Sequence, residues 1–285
     1  MGDDLKLIGC DFSSSPSRKK PIVVAWGHLE KSRVQLDGVI YFESLSSFFI
    51  WLCEKSSWLG GFDLPFGLPR ELVENLKWPS TWPACMDYYS SLERSVIRTK
   101  FSAFCDARPV GQKFAHRATD LPAGSSPSMK WVNPPVAWMM HAGVPLLRKA
   151  GVLMPGLNYF PNQISKDGDV QQRVALEAYP GMLARELIGS KSYKSDDRLK
   201  QDTSRLIARK DLVDLLEQGQ TSLNIQLKLT HAQRDSLIDD PKGDRLDSVI
   251  CLYQVAWARL QQLSGHPCYG LPEEMDHLEG WIVSC

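Results

Sequence analysis

The chain has 285 residues, 33 basic and 33 acidic residues, and a hydrophobic fraction of 43%. A chain of this length and composition can bury a large core, so we expect one globular domain over residues 1–285. The zero net charge gives no sign of a nucleic-acid or membrane partner, and any basic surface must therefore be local.

The sequence contains no apolar run long enough to cross a membrane, and residues 1–9 lack the basic and apolar regions of a secretory signal. The seven cysteines include no C-x-x-C pair, so neither a disulfide framework nor a zinc site is indicated. These features predict a soluble, cytoplasmic protein with reduced thiols and no membrane contact.

The first part of the chain reads as three strands joined by turn-rich segments, a pattern typical of an antiparallel meander. The runs cover residues 5–12, 21–26 and 34–42. The segment "SLSSFFIWLCEKS" then predicts a helix capped by Ser44 or Ser46. A fourth strand is predicted within "WLGGFDLPFGLP", residues 58–69.

Residues 69–172 differ in character, because prolines, tryptophans and basic residues are interleaved with helical patterns. We expect a largely helical insertion here, with helices at 88–105 and 135–150 and a mobile loop at "DLPAGSSPS". Beyond it, "VALEAYP" (174–180) predicts a strand. Further helices are predicted at 181–188, 196–218 and 243–263.

Acidic residues interrupt the apolar segments in a recurring way. Asp11 ends the first strand-like run, Asp63 ends the fourth, and Glu177 lies within "VALEAYP". A buried carboxylate needs a cation, a metal or a full set of hydrogen-bond donors. Open α/β sheets collect functional groups at the carboxyl ends of their strands, so these acids are candidates for one site.

The final helix adds Asp244 and Asp247, three residues apart and roughly 60° apart around the helix axis. Asp247 borders an apolar stripe that includes Tyr253 and Trp257 and that we expect to face the sheet. Each acid alone also fits a structural role as a turn former or a helix cap. Several converging acids would repel one another, which favours a hard divalent cation bound by oxygen ligands.

The segments "GCDFSS", "GFDLPFGLP", "EAYPGMLAREL" and "GDRLDSVICLYQVAWA" occur in this order along the chain. Together they resemble the predicted RNase H-like nuclease family, domain of unknown function 429. The resemblance spans almost the whole chain and is weakest over residues 78–162. It implies an α/β ribonuclease H-like mixed sheet, with three antiparallel strands, a helix and then parallel strands alternating with helices.

The resemblance also implies a site. By motif position, Asp11, Asp63 and Asp247 would hold two Mg²⁺ or Mn²⁺ ions, with Asp11 bridging them. Asp244 is a possible extra metal ligand, by similarity to the paired acids of RuvC-type resolvases. Glu177 is a further candidate catalytic acid, although the usual nuclease pattern does not require an acid on the fifth strand.

Such a site predicts a nuclease that cleaves phosphodiester bonds by a two-metal mechanism, with DNA or RNA as substrate. The insertion would position the nucleic-acid backbone through "RPVGQKFAHRATD". The candidate contacts there are Arg108, Lys113, His116 and Arg117. A solvated basic loop is an equally good interpretation of each of these residues.

Other classes of function remain open at this stage. "DFSSS" loosely fits a phosphotransferase of the actin and sugar-kinase type, but the chain offers no repeated strand-Asp-Gly turn and no P-loop. A non-catalytic nucleic-acid or protein binding module is the other alternative. Zero net charge favours it slightly, whereas the recurrence of strand-end acids favours the nuclease. Oligomeric state is not indicated by the sequence.

Overall fold

The four strands at the centre of the sheet all come from residues 6–63. The computed structural model describes residues 5–54, 56–160, 172–266 and 268–285, and over these residues six strands form one mixed sheet in the order β5-β4-β1-β2-β3-β6. The strands are β1 (Lys6–Asp11), β2 (Ile22–Glu30), β3 (Arg33–Phe42), β4 (Trp58–Asp63), β5 (Arg173–Glu177) and β6 (Gln226–Lys228).

The pairing confirms the predicted antiparallel meander, because β2 lies antiparallel to both β1 and β3. Strands β4 and β5 add parallel to β1, in the order β1, β4, β5. The fold class is therefore α/β, with a mixed sheet flanked by helices. The short edge strand β6, which pairs parallel to β3, was not predicted, because its three residues are too few to show an alternating pattern.

Within the described ranges, ten α-helices are interspersed with the strands, and five of them, α2 to α6, lie between β4 and β5 in the sequence. They are α1 (Leu45–Leu52), α2 (Arg70–Asn75), α3 (Trp82–Ser91), α4 (Arg94–Asp106), α5 (Asp120–Ala123), α6 (Val136–Lys149), α7 (Pro180–Ile188), α8 (Thr203–Gln218), α9 (His231–Ile238) and α10 (Asp244–Leu263). Part of the predicted insertion, residues 161–171, lies outside the described residues. No helix among the described residues is long and apolar enough to cross a membrane.

Several predicted boundaries were wrong. The single helix expected at 88–105 is two helices, because the backbone at Leu92 and Glu93 is extended. The segment expected to be a mobile loop contains α5, and Asp120 at its start is fully buried. The helix expected from residue 196 begins at Thr203, after the capping residue Asp202.

Packing of α1 and α10 agrees with most of the predicted core. Ser44 caps α1 by accepting a hydrogen bond from the backbone N–H of Ser47. Phe48 is buried against the sheet. On α10, Tyr253 is fully buried, whereas Trp257 is only partly buried at the edge of the core.

Helix α10 approaches β1 so closely that Gly9 cannot carry a side chain. A Cβ atom added at Gly9 would overlap the backbone nitrogen of Leu252 and the backbone oxygen of Ser248. On the neighbouring strand, a Cβ at Gly61 would come within 2.9 Å of the carbonyl oxygen of Cys251. The glycines thus let the helix backbone lie directly on the sheet.

We therefore expect Gly9→Ala to lower the free energy of unfolding by at least about 3 kcal/mol, because backbone atoms of α10 would have to move to admit the methyl group. Gly124→Ala is the control. It adds the same methyl group at a left-handed position (φ +58°, ψ +31°), where the nearest atoms belong to the flexible guanidinium group of Arg185, and should cost about 1 to 2 kcal/mol. Urea denaturation of both variants measures the difference; equal losses would contradict the close approach.

Candidate carboxylate site

Asp11 and Asp63 lie side by side on the face of the sheet that α10 covers. They end β1 and β4, and the parallel register pairs Asp11 directly with Asp63. Side chains alternate between the two faces of a strand, so Asp11 and Asp63 share the face of Gly9 and Gly61, two residues earlier. Adjacent strands are about 4.8 Å apart, which brings the two carboxylates close together.

Helix α10 brings two more carboxylates to the same place from its first turn. Asp247 lies one helical turn before Cys251, whose carbonyl contacts Gly61, and it is fully buried. Asp244 begins the helix and is partly buried. The positive end of the helix dipole stabilises acids in a first turn, but only modestly. All the predicted metal ligands are therefore brought together.

The environment of these carboxylates disfavours their charged forms. Burial raises the pKa of Asp11 well above its ordinary value, and the nearby charges of Asp247 and Asp244 raise it further. Burial also raises the pKa of Asp63 to about 7, with Asp247 and Glu177 adding to the effect. The pKa of Asp244 rises to about 6, again mainly because of burial. Like charges held together in this way need a counter-charge.

Lys194 supplies positive charge inside this cluster. Its ammonium group donates a hydrogen bond to Oδ2 of Asp247, and the hydroxyl of Tyr193 donates one to Oδ1. Burial disfavours the Lys194 ammonium, but Asp247 and Asp11 raise the pKa of Lys194 well above its ordinary value. Sequence reasoning missed both residues, because no periodic pattern links the loop segment "SYKSDD" to an acid more than 50 positions later.

The cluster has the right donors for a hard divalent cation, since Mg²⁺ and Mn²⁺ are bound by carboxylate oxygens. Its geometry is not that of a formed metal site. Over the described ranges, no group of three or more Asp, Glu, His or Cys side chains is arranged to hold a metal ion. The ammonium group of Lys194 is paired with Oδ2 of Asp247, the oxygen that would otherwise be free to coordinate a metal.

Glu177 belongs to a separate, buried ion-pair network. Arg117 donates to both carboxylate oxygens of Glu177, at 2.6 and 2.7 Å, and to Oδ1 of Asp120 at 2.9 Å. Glu177 Oε2 also accepts the backbone N–H of Phe66, and the backbone oxygen of Glu279 accepts from Arg117. This network joins the insertion, β5, the segment after β4 and residues 268–285.

The predicted substrate contacts do not form one surface. Arg117 is 1% exposed and its guanidinium group is already paired, so the expectation that it contacts a phosphate is corrected to a structural role. Arg108 pairs with Glu71 and with the carbonyl of Gln112. Lys113 and His116 are exposed and remain candidates.

Open cavities lie on either side of the carboxylates. Asp63 lines a cavity of about 370 Å³ together with Tyr179, Arg185 and Lys194. Asp244 lines a groove of about 440 Å³ on the opposite side of the cluster. A ligand larger than a metal ion can therefore reach the carboxylates from solvent.

Comparison of the chain with protein-family models, with curated proteins and with solved structures found no match. Any assignment of function therefore depends on the residues and geometry described above.

The raised pKa of Asp63 predicts how stability depends on pH. Between its ordinary pKa of 3.8 and about 7, the folded carboxyl binds its proton more tightly than the unfolded one, so stability falls as pH rises through this window. Asp63→Asn removes this loss. We expect the variant to exceed the wild type in unfolding free energy by more than about 1 kcal/mol at pH 8, and by nearly nothing at pH 4.

Urea denaturation in EDTA at pH 4, 6 and 8 measures this difference. A constant difference at all three pH values would contradict the raised pKa and would indicate that Asn changes packing alone.

Arg117→Met should destabilise the protein by about 3 to 5 kcal/mol, because it leaves Glu177 and Asp120 buried without their cation. Lys113→Met removes a basic side chain from the same segment at an exposed position and should change stability by less than about 0.5 kcal/mol. Chemical denaturation distinguishes the two roles. If the two variants proved equally stable, Arg117 would not have the structural role assigned to it.

Proposed function

We propose that the protein is a divalent-metal-dependent phosphodiester hydrolase, a nuclease of the RNase H-like class. The observation that carries this proposal is the group of carboxylates of Asp11, Asp63, Asp244 and Asp247, crowded at strand ends and at a helix start. Burial and mutual repulsion disfavour the charged forms of Asp11, Asp63 and Asp244. Binding of divalent cations would offset this cost.

The order and direction of the strands support the proposed RNase H-like class. Strands β1 to β3 form an antiparallel meander, α1 follows, and β4 and β5 add parallel to β1. This is the arrangement that the sequence resemblance implies. The acids at the ends of β1 and β4 and on α10 occupy the places that the same resemblance gives to metal ligands.

Asp11, Asp63 and Asp247 would hold the metal, with Asp244 as a further ligand. When bound, paired divalent metals supply an activated water and stabilise the leaving oxygen of a phosphodiester. The chain's own residues would contribute the rest: Arg185 and Lys191 line the cavity beside Asp63. Although Arg185 donates to the carbonyl of Ala123 and Lys191 to Asp211, their remaining N–H groups would bind phosphate oxygens there. Lys194 would have to leave Asp247 for that carboxylate to reach a metal.

A non-catalytic nucleic-acid binding module is the second candidate, and the ion pair between Lys194 and Asp247 favours it. The ammonium group of Lys194 gives the cluster a counter-charge that the chain itself supplies. In that case the site would not need a metal to be stable. The two candidates therefore differ in what Mn²⁺ does to the protein.

Asp11→Asn tests the proposal. We expect it to keep or raise the melting temperature in EDTA, because one repelling charge is removed, and to lose most of the stabilisation by millimolar Mn²⁺. It should also abolish Mn²⁺-dependent cleavage in a screen of single-stranded and duplex DNA and RNA. Asp106→Asn, at an exposed position on α4, is the matched control and should behave as wild type. An equal Mn²⁺-induced shift in wild type and Asp11→Asn would overturn the metal assignment.

The same melting experiments, with EDTA and with Mn²⁺, can be carried out on Lys194→Met. Without the ammonium, Asp247 loses a charged hydrogen bond, so the variant should be less stable than wild type in EDTA by about 2 kcal/mol. Mn²⁺ should raise the melting temperature of this variant more than that of the wild type, because the metal no longer competes with Lys194 for Asp247. Loss of stability without any Mn²⁺ rescue would favour the binding module.

A further inference from the structure

A groove beside the carboxylate cluster is lined by basic and aromatic side chains that the sequence did not single out. It has a volume of about 440 Å³ and runs between the β1–β2 connection and the turn before α10. Its lining residues include Arg18, Lys19, Tyr41, Lys242 and Arg245.

The strand register places this groove in line with the carboxylates. Asp63 pairs with Asp11, Asp11 pairs with Val23, and Val23 pairs with Tyr41, so the four residues form one row across β4, β1, β2 and β3. Paired residues on neighbouring strands share a face, and two strand spacings put Tyr41 about 10 Å from Asp11. One nucleotide, with its base, sugar and phosphate, spans such a distance.

Tyr41 offers a ring at this end of the row. It is 46% exposed although it lies on a strand, and Nε of Arg245 donates a 2.8 Å hydrogen bond to its hydroxyl. The guanidinium group lies 5.8 Å from the ring centroid. The ring is thus held in place while much of its surface faces solvent.

Positive charge lies on the wall opposite α10. Arg18 and Lys19 are exposed, and Lys242 donates to the backbone oxygen of Lys19, which joins the two walls. The groove is also lined by the acids Glu43, Asp240 and Asp244. Asp240 accepts the backbone N–H groups of Lys242 and Arg245 and so stabilises the turn before α10. Arg18 and Lys19 lie on the other wall, where they are exposed to an anionic ligand.

We propose that this groove binds a nucleotide of a single-stranded nucleic acid, with its base on Tyr41 and its phosphate on Arg18 and Lys19. A base can stack on an exposed aromatic ring only when it is not paired within a duplex. The groove leads to Asp244, so the strand continues past the carboxylates. This inference deepens the proposed nuclease function, because it names the substrate class of the same site.

The test uses fluorescence anisotropy with a labelled 12-nucleotide oligothymidylate in EDTA, where metal-dependent cleavage does not occur. Tyr41→Leu should weaken binding about fivefold or more, whereas Tyr41→Phe keeps the ring and should stay within about twofold of wild type. The double variant Arg18→Ala/Lys19→Ala should weaken binding about tenfold and reduce the salt dependence of log Kd by about 1. Arg98→Ala/Lys100→Ala removes the same charge from α4 and should have little effect.

The outcomes separate this inference from the nuclease proposal. Unchanged affinity in Tyr41→Leu and Arg18→Ala/Lys19→Ala, or no binding by the wild type, overturns the groove assignment even if the protein cleaves nucleic acid. Equal affinity for a 12-base-pair duplex, insensitive to Tyr41→Leu, overturns the single-strand assignment. Binding that depends on the groove residues, without Mn²⁺-dependent cleavage of any substrate, would support the groove assignment and contradict the nuclease proposal.

Discussion

The approach of α10 to the sheet is the constraint on which the rest of the molecule depends. Because Gly9 and Gly61 carry no side chains, the backbone of the helix lies against β1 and β4. This contact fixes the start of α10 near the ends of those strands, where Asp11 and Asp63 project. The same packing that completes the core therefore partly shields the carboxylates from water and holds them close together.

Two groups of carboxylates in the protein have different surroundings. In the network around Arg117, every carboxylate oxygen of Glu177 and Asp120 accepts a hydrogen bond from the guanidinium group or from a backbone N–H. Around Asp11, several carboxylates share the ammonium of Lys194, and Lys20 acts on Asp244. Carboxylates with a full set of donors need nothing from outside the protein, whereas crowded carboxylates with few donors gain from a cation. This contrast leads us to interpret the first as structural and the second as functional.

Much of the sheet could be predicted from sequence, because alternating apolar runs and turn residues are local signals. The convergence of Asp11, Asp63 and Asp247 was also predictable, since each acid interrupts an apolar segment whose position in the sheet can be inferred. Lys194 and Tyr41 were not predictable in this way: one lies in a loop, and the other in a strand whose register decides its neighbours. Arg117 was misassigned because a basic residue in a polar segment gives no sign that it is buried.

The contacts of residues 268–285 have a consequence for the order in which the protein can fold during synthesis. Glu279 accepts the backbone N–H groups of Arg70 and Ala118, and the backbone N–H of Val283 donates to the carbonyl of Glu177. Each of these partners is synthesised more than 100 residues before the residue that it contacts. The backbone N–H groups of Arg70 and Ala118 and the carbonyl of Glu177 therefore lack these partners until translation has passed α10, so the packing of the insertion on β5 is completed last.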